Sequence, residues 1–236
     1  SGGSDSSGGS GGSSSAPSPV PQPPKEKDQL DAQVVLSGDK AVITIQVAAA
    51  VQAINASDSV NFRIDAGDKA KQAEAEIPQE VIAAVAKKGP NASLSILVNG
   101  TEYRIPAALI SVAGPVKVSV TAPSEADLKG AEALLKGKEV LSTPLLFKLE
   151  QLHADQTATE LKHYGKLYVS EFITVDAKAI NTKRATGVVY IPGLNELRSV
   201  PTLFKVNADG TVNVEIKKTG NGIYVLAQQD MKFKDA

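Results

Sequence analysis

The apolar residues of this 236-residue chain fall in short runs that mostly alternate with polar ones, and this pattern restricts the fold more than any other feature. Successive side chains on a strand point to opposite faces, so apolar residues at every second position bury one face of a sheet. Ala41, Ile43, Ile45 and Val47 repeat in this way, as do Val60, Phe62 and Ile64, and then Leu94, Ile96 and Val98. No run approaches the ~20 apolar residues that a membrane-spanning helix requires.

Turn chemistry sits between these runs. Ser37-Gly38-Asp39 predicts that Val34 to Leu36 pairs back on the following strand. Ala66-Gly67-Asp68 predicts a return by Ala73 to Ile77, and Asn99-Gly100 predicts a type I′ hairpin closed by Tyr103 and Ile105. Helical spacing is confined to short stretches: Val47, Val51 and Ile54; Val81, Ile82 and Val85, with Pro78 as first helical residue and Gly89-Pro90 as the stop; and Ala107 to Ile110. Ser124 is the expected N-cap of a further helix, with Glu125 and Asp127 in its first turn and a stripe of Leu128, Ala131, Leu134 and Leu135 ended by Gly137.

Beyond Gly137 the pattern is nearly all strand. The candidates are Val116 to Val120 before that helix, then Leu145 to Leu149, Lys166 to Val175, Gly187 to Ile191, Thr202 to Val206, Val212 to Lys217 and Ile223 to Ala227. Hairpin turns are expected at Asn207 to Gly210 and Thr219 to Gly222. The fold class expected is α+β and β-rich: two small domains of antiparallel hairpins with a few short helices, the second resembling a β-sandwich. The boundaries are a Gly/Ser/Pro linker at 1–29, a hairpin–helix unit at 30–112 and a sandwich-like unit at 113–230. Within the linker, the Gly/Ser part is soft and the run from Ala16 to Pro24 favours extended polyproline. Numbering that begins inside a linker, with neither initiator Met nor signal peptide, fits a piece of a longer chain.

Composition narrows the chemistry. Cysteine is absent, which removes disulfides, thiol nucleophiles and Cys-based zinc sites. Aromatic residues make up 4% and Trp is absent, so Val, Ile, Leu and Ala must supply the core. A net charge of −1 offers no general attraction to nucleic acid or an anionic membrane. The two histidines, His153 and His163, flank a polar loop with Asp155 and Glu160, but their spacing matches no zinc or iron arrangement. Asn207, Asp209 and Asn213 resemble part of a calcium loop and lack its remaining ligands, so a β-turn is the expectation. A sugar platform needs exposed rings, and Tyr103, Tyr164, Tyr168, Tyr190 and Tyr224 mostly lie in strand patterns. The residue types of a Lys–Asn isopeptide staple are present, with no pair placed by sequence. No nucleophile elbow, P-loop or dinucleotide fingerprint occurs. No catalytic, metal or cofactor residues are nominated, and no cofactor is expected.

From about Pro144 onward the chain carries TPLLFKLE, GKLYVSEFITV, ATGVVYIPGLNELRSVPTLFKV and GTVNVEIKKTGNGIYVLAQQDMKFKDA in order. This series resembles the segment directly upstream of S-layer homology repeats in cell-surface proteins of spore-forming Gram-positive bacteria. The strand Gly220 to Val225, followed by Phe233 and Asp235, is similar to the step that opens the first repeat, so 231–236 is expected to begin one. The upstream stretch, with KAVITIQVAAAVQAI and AEIPQEVIAAVAKKGPNASLSILVNGTEYRIPAALI, looks like the module that commonly precedes it. The resemblance implies an extracellular, wall-anchored protein and no catalytic residues here. Its partners would be the neighbouring repeats and, through them, secondary cell-wall polysaccharide, with self-association in a surface layer, no nucleic acid and no membrane insertion. The expectation is a non-catalytic spacer. A glycan- or ligand-binding adhesion module is the alternative, and an accessory domain of a polysaccharide hydrolase ranks below it.

Overall fold

The computed structural model describes residues 28–111 and 114–229. The expected linker, apart from residues 28 and 29, and the expected repeat opening at 231–236 lie outside the described residues.

The first half contains β1 (Ala32–Ser37), β2 (Lys40–Ile45), α1 (Val47–Ala56), β3 (Asn61–Asp65), β4 (Gln72–Ile77), α2 (Gln79–Ala86), β5 (Ser93–Val98), β6 (Thr101–Pro106) and α3 (Ala107–Ile110). There follow β7 (Val116–Thr121), α4 (Glu125–Leu134), β8 (Lys138–Val140), β9 (Leu145–Leu152), β10 (Ala158–Glu160) and β11 (Val169–Asp176). The last five strands are β12 (Ala185–Ile191), β13 (Glu196–Val200), β14 (Thr202–Val206), β15 (Thr211–Lys218) and β16 (Gly222–Gln229).

Two β-sheets carry the molecule, as expected of a β-rich α+β, sandwich-like fold. The larger runs β1-β2-β4-β7-β9-β16-β12-β13, with β10 beside β9 and β8 beside β16. The smaller runs β14-β15-β11-β6-β5-β3. Most pairs are antiparallel; β2–β4 and β3–β5 are parallel. Strands from both sides of residues 112–113 share each sheet, since β4 pairs with β7 and β6 with β11. One cluster of buried side chains likewise runs from Leu30 to Leu226 and includes Phe62, Ile96, Tyr103, Phe147 and Ile216.

Local signals produce the local elements. The β5–β6 hairpin closes through Asn99 (φ 49°) and Gly100 (φ 75°), the left-handed pair that a type I′ turn demands. Ser124 caps α4 by accepting from the Asp127 backbone N–H at 3.2 Å. Ala131 and Leu135 from this segment cover the outer face of the larger sheet, against Tyr190 and Ile223 and against Val188 and Val225 respectively.

Three expectations are corrected. Ala73 to Ile77 does not return on β3: β3 lies in the smaller sheet, whereas β4 crosses to the larger one and pairs parallel to β2. Ala66 and Ala70, both fully buried, line that crossing, so the turn residues mark a change of layer. Thr219 to Gly222 is also a crossing and not a hairpin, because β15 and β16 belong to different sheets. Pro78 is the N-cap, with extended ψ of 149°, and the helix starts one residue later. The strand β13, whose sequence ELRSV lacks apolar alternation, escaped the sequence pattern altogether.

Candidate functional site

Alternation along β15 places Val212, Val214, Ile216 and Lys218 on one face, and all four are buried. Lys218 therefore enters the core on the same register as three apolar residues. The neighbouring strand supplies its counter-ion: Val169 lies opposite Lys218, and Glu171, two residues on, reaches the ammonium with Oε2 2.5 Å from Nζ. Tyr103 of β6 lies opposite Glu171 and hydrogen-bonds its carboxylate. Three adjacent strands of the smaller sheet thus present a lysine, a glutamate and a tyrosine in a row.

The larger sheet closes over this row with aromatic rings. The Lys218 Nζ lies 3.6 Å from the centroid of Tyr224, 5.4 Å from Phe147 and 5.6 Å from Tyr103. Tyr103 and Phe147 stack with centroids 5.8 Å apart. The ammonium is held by one carboxylate and by the electron-rich faces of rings from both sheets. Burial lowers the Lys218 pKa, and the Glu171 carboxylate opposes that shift. Burial, then the Glu171 charge, pushes the Tyr103 phenol well above its ordinary value.

Beside this box, Asn221 ties the crossing at Thr219 to Gly222 into the fold. Its Oδ1 accepts from the Leu149 backbone N–H and the Tyr164 hydroxyl, both at 2.9 Å, and its Nδ2 donates to the Leu149 carbonyl at 3.2 Å. Tyr224 donates its hydroxyl to the Gly220 carbonyl at 2.7 Å. A Cβ on Gly220 would sit 2.1 Å from the Lys162 carbonyl oxygen, so only glycine permits the two chain segments to cross there. Burial holds the Tyr164 phenol well above its usual range and raises that of Tyr224 to about 12.

A cleft of about 850 Å³ opens next to this crossing, lined in part by Leu146, Lys148, Lys162, Ile191, Arg198 and Tyr224. Lys148 is paired with Glu150 and Glu160, each at 3.0 Å, and Arg198 with Glu196. Its lining combines apolar residues such as Leu146 and Ile191 with cations such as Lys148 and Arg198 and the anions Asp127 and Glu160.

The residues weighed from sequence are placed as follows. His153 and His163 are exposed; the first meets the Thr159 hydroxyl at 2.8 Å and the second bridges Gly220 through its backbone. Asp155 closes its own turn onto Thr157, whose hydroxyl and N–H bonds lower its pKa. Glu160 belongs to the Lys148 pair. Asp209 accepts from the Thr211 N–H and hydroxyl in the same manner, whereas Asn213 accepts from Thr174 on the next strand, so the calcium-like trio serves the turn and the ladder. Among the described residues no three His, Cys, Asp or Glu side chains group as a metal site. Tyr103, Tyr164, Tyr190 and Tyr224 are buried, and Tyr168 is exposed with Lys217 above its ring. Lys218 and Glu171 were missed, although alternation carried past Lys217 would have flagged a lysine on the buried register. No protein-family model, curated protein or solved structure matches this chain.

Proposed function

We propose that this chain is a load-bearing connector in a wall-anchored bacterial surface protein, positioning a functional domain above the wall. The sequence series resembling the segment upstream of S-layer homology repeats motivates the location. The observation that carries the mechanical reading is the position of β16. This last strand lies inside the larger sheet, paired with β12 along Ala185–Tyr190 on one side and with β9 and then β8 on the other. Tension applied along a strand bonded on both sides must break its ladders together, which resists extension better than peeling an edge. Lys218, Tyr224 and Phe147 couple that strand and its neighbour β9 to the smaller sheet.

Single-molecule pulling on residues flanking 28 and 229 tests the proposal. A connector should give a cooperative, high-force rupture that includes β16; gradual extension at low force would refute it. The cleft beside Gly220 favours a second reading, a glycan- or ligand-binding module. Sedimentation with purified wall polysaccharide separates the two, since a pure connector is not retained.

A further inference from the structure

The strand edges of this fold are not equivalent. An open edge offers unpaired N–H and C=O groups to another chain unless charge, proline, brevity or a cover protects it. At one end of the larger sheet, β13 carries Glu196 and Arg198. In the smaller sheet, β14 carries Lys205 and follows Pro201, while β3 is covered by Asp28 to Leu30 through the Arg63 N–H to Asp28 carbonyl and Leu30 N–H to Arg63 carbonyl bonds. The short β8 and β10 are three residues each and contain charge. Only β1, AQVVLS, is a six-residue terminal strand with no charge, proline or glycine and no cover among the described residues.

We propose that the chain forms a twofold dimer by antiparallel pairing of β1 with β1 of a second copy. Backbone groups along an antiparallel strand face its partner and the opposite side by turns. The Asp31 carbonyl accepts from Gln46 N–H, so Gln33, Val35 and Ser37 bond to β2 as well, and the N–H and C=O groups of Ala32, Val34 and Leu36 point outward. A register with Val34 opposite Val34 on the dyad sets Ala32 against Leu36 and satisfies all of these outward groups. It also keeps each side chain on its own face of the joined sheet, as a twofold axis normal to the sheet requires.

The side chains fit the same register. On one face Val35, 54% exposed, meets Gln33 of the second copy and extends the cross-strand pair it makes with Val42, which is 44% exposed. On the other, Leu36, 44% exposed, meets Ala32. From Ala32 to Leu36 the seam holds no charged side chain, and Asp31 falls opposite Ser37 only at its two ends, so the central pairs are complementary to themselves without selecting a charged partner. The dimer does not depend on the connector reading.

Sedimentation velocity of the full chain across the micromolar range tests it, with amide hydrogen exchange at Val34 and Leu36 in parallel. The expected result is a mass rising from 24.5 kDa to twice that value, with both amides becoming protected as the dimer forms. Val34→Pro removes an outward donor without touching the β1–β2 ladder, and Val35→Lys puts a charge at an exposed seam position. Each should weaken association at least tenfold, and thermal unfolding of the Val35→Lys monomer should match that of the parent. A parent chain that stays monomeric throughout overturns the proposal. So does a Val35→Lys chain that associates like the parent. Amides equally protected at monomeric dilution would assign the edge to a segment of the same chain.

Discussion

Replacing Lys218 by Met removes the ammonium and keeps most of the side-chain volume, so it isolates the charge from the packing. Coulomb's law at an effective dielectric of about 20 gives roughly 7 kcal/mol of attraction at the 2.5 Å separation. Much of that offsets the desolvation of two ions, because Lys218 is 1% and Glu171 11% exposed at the side chain. The net worth of the intact pair is therefore small, while the cost of orphaning one member is not. With Glu171 left uncompensated beside the buried Tyr103, Lys218→Met should destabilise by about 3–5 kcal/mol. That is a large share of the roughly 5–15 kcal/mol that holds an ordinary domain together. The double variant Lys218→Met/Glu171→Gln removes both charges, keeps an acceptor for the Tyr103 hydroxyl and should recover most of the loss. Urea unfolding of the parent, both single variants and the double variant measures the four corners of the cycle. A Lys218→Met chain within about 1 kcal/mol of the parent would refute the claim that the pair is a buried, mutually dependent lock.

Further outcomes follow from the same core. Burial raises the folded pKa values of Tyr103, Tyr164 and Tyr224 above the ordinary phenol value of 10.0, to about 12 for Tyr224. Their contribution is complete below the unfolded value and is lost as pH rises through the folded ones; Lys218, lowered by burial, acts in the opposite sense below its unfolded 10.5. Three phenols outweigh one amine, so stability should fall steeply above pH 10, with ionisation of Tyr103, Tyr164 and Tyr224 appearing together with unfolding; ionisation of these three in the folded chain would contradict this. Asn221→Ala strips partners from the Leu149 N–H and the Tyr164 hydroxyl and should cost about 2–4 kcal/mol in chemical denaturation, with Asn221→Asp recovering only part. Gly220→Ala forces a Cβ onto the Lys162 carbonyl and should cost about 1–3 kcal/mol or more, read as a lowered Tm; an unchanged Tm would mean that the crossing is loose.

Much of the local structure was legible in the residues. The Asn99-Gly100 hairpin, the Ser124 cap and the inward sets Ala41, Ile43, Ile45 and Leu94, Ile96, Val98 depend on neighbours within a few positions, where turn geometry and side-chain periodicity act directly. The candidate site was not legible as a site. Lys218 stands one residue past the strand read from sequence, and its partner Glu171 lies 47 positions away in the chain.

Residue pattern sets which face is apolar on most of the strands, where the chain must turn, and that a core without Cys or Trp is built from Val, Ile, Leu and Ala with a few rings. Only closure of the layers settled which strands became neighbours: that β4 joins β2 in parallel, that Thr219 to Gly222 changes layers, and that β1 has β2 as its single neighbour among the described residues. Alternation specifies burial and is blind to the partner, because any strand with a matching apolar face satisfies it equally. Partner choice is settled by how whole layers close over one another, and here that closure is what brings Phe147 and Tyr224 onto a lysine the smaller sheet had already turned inward.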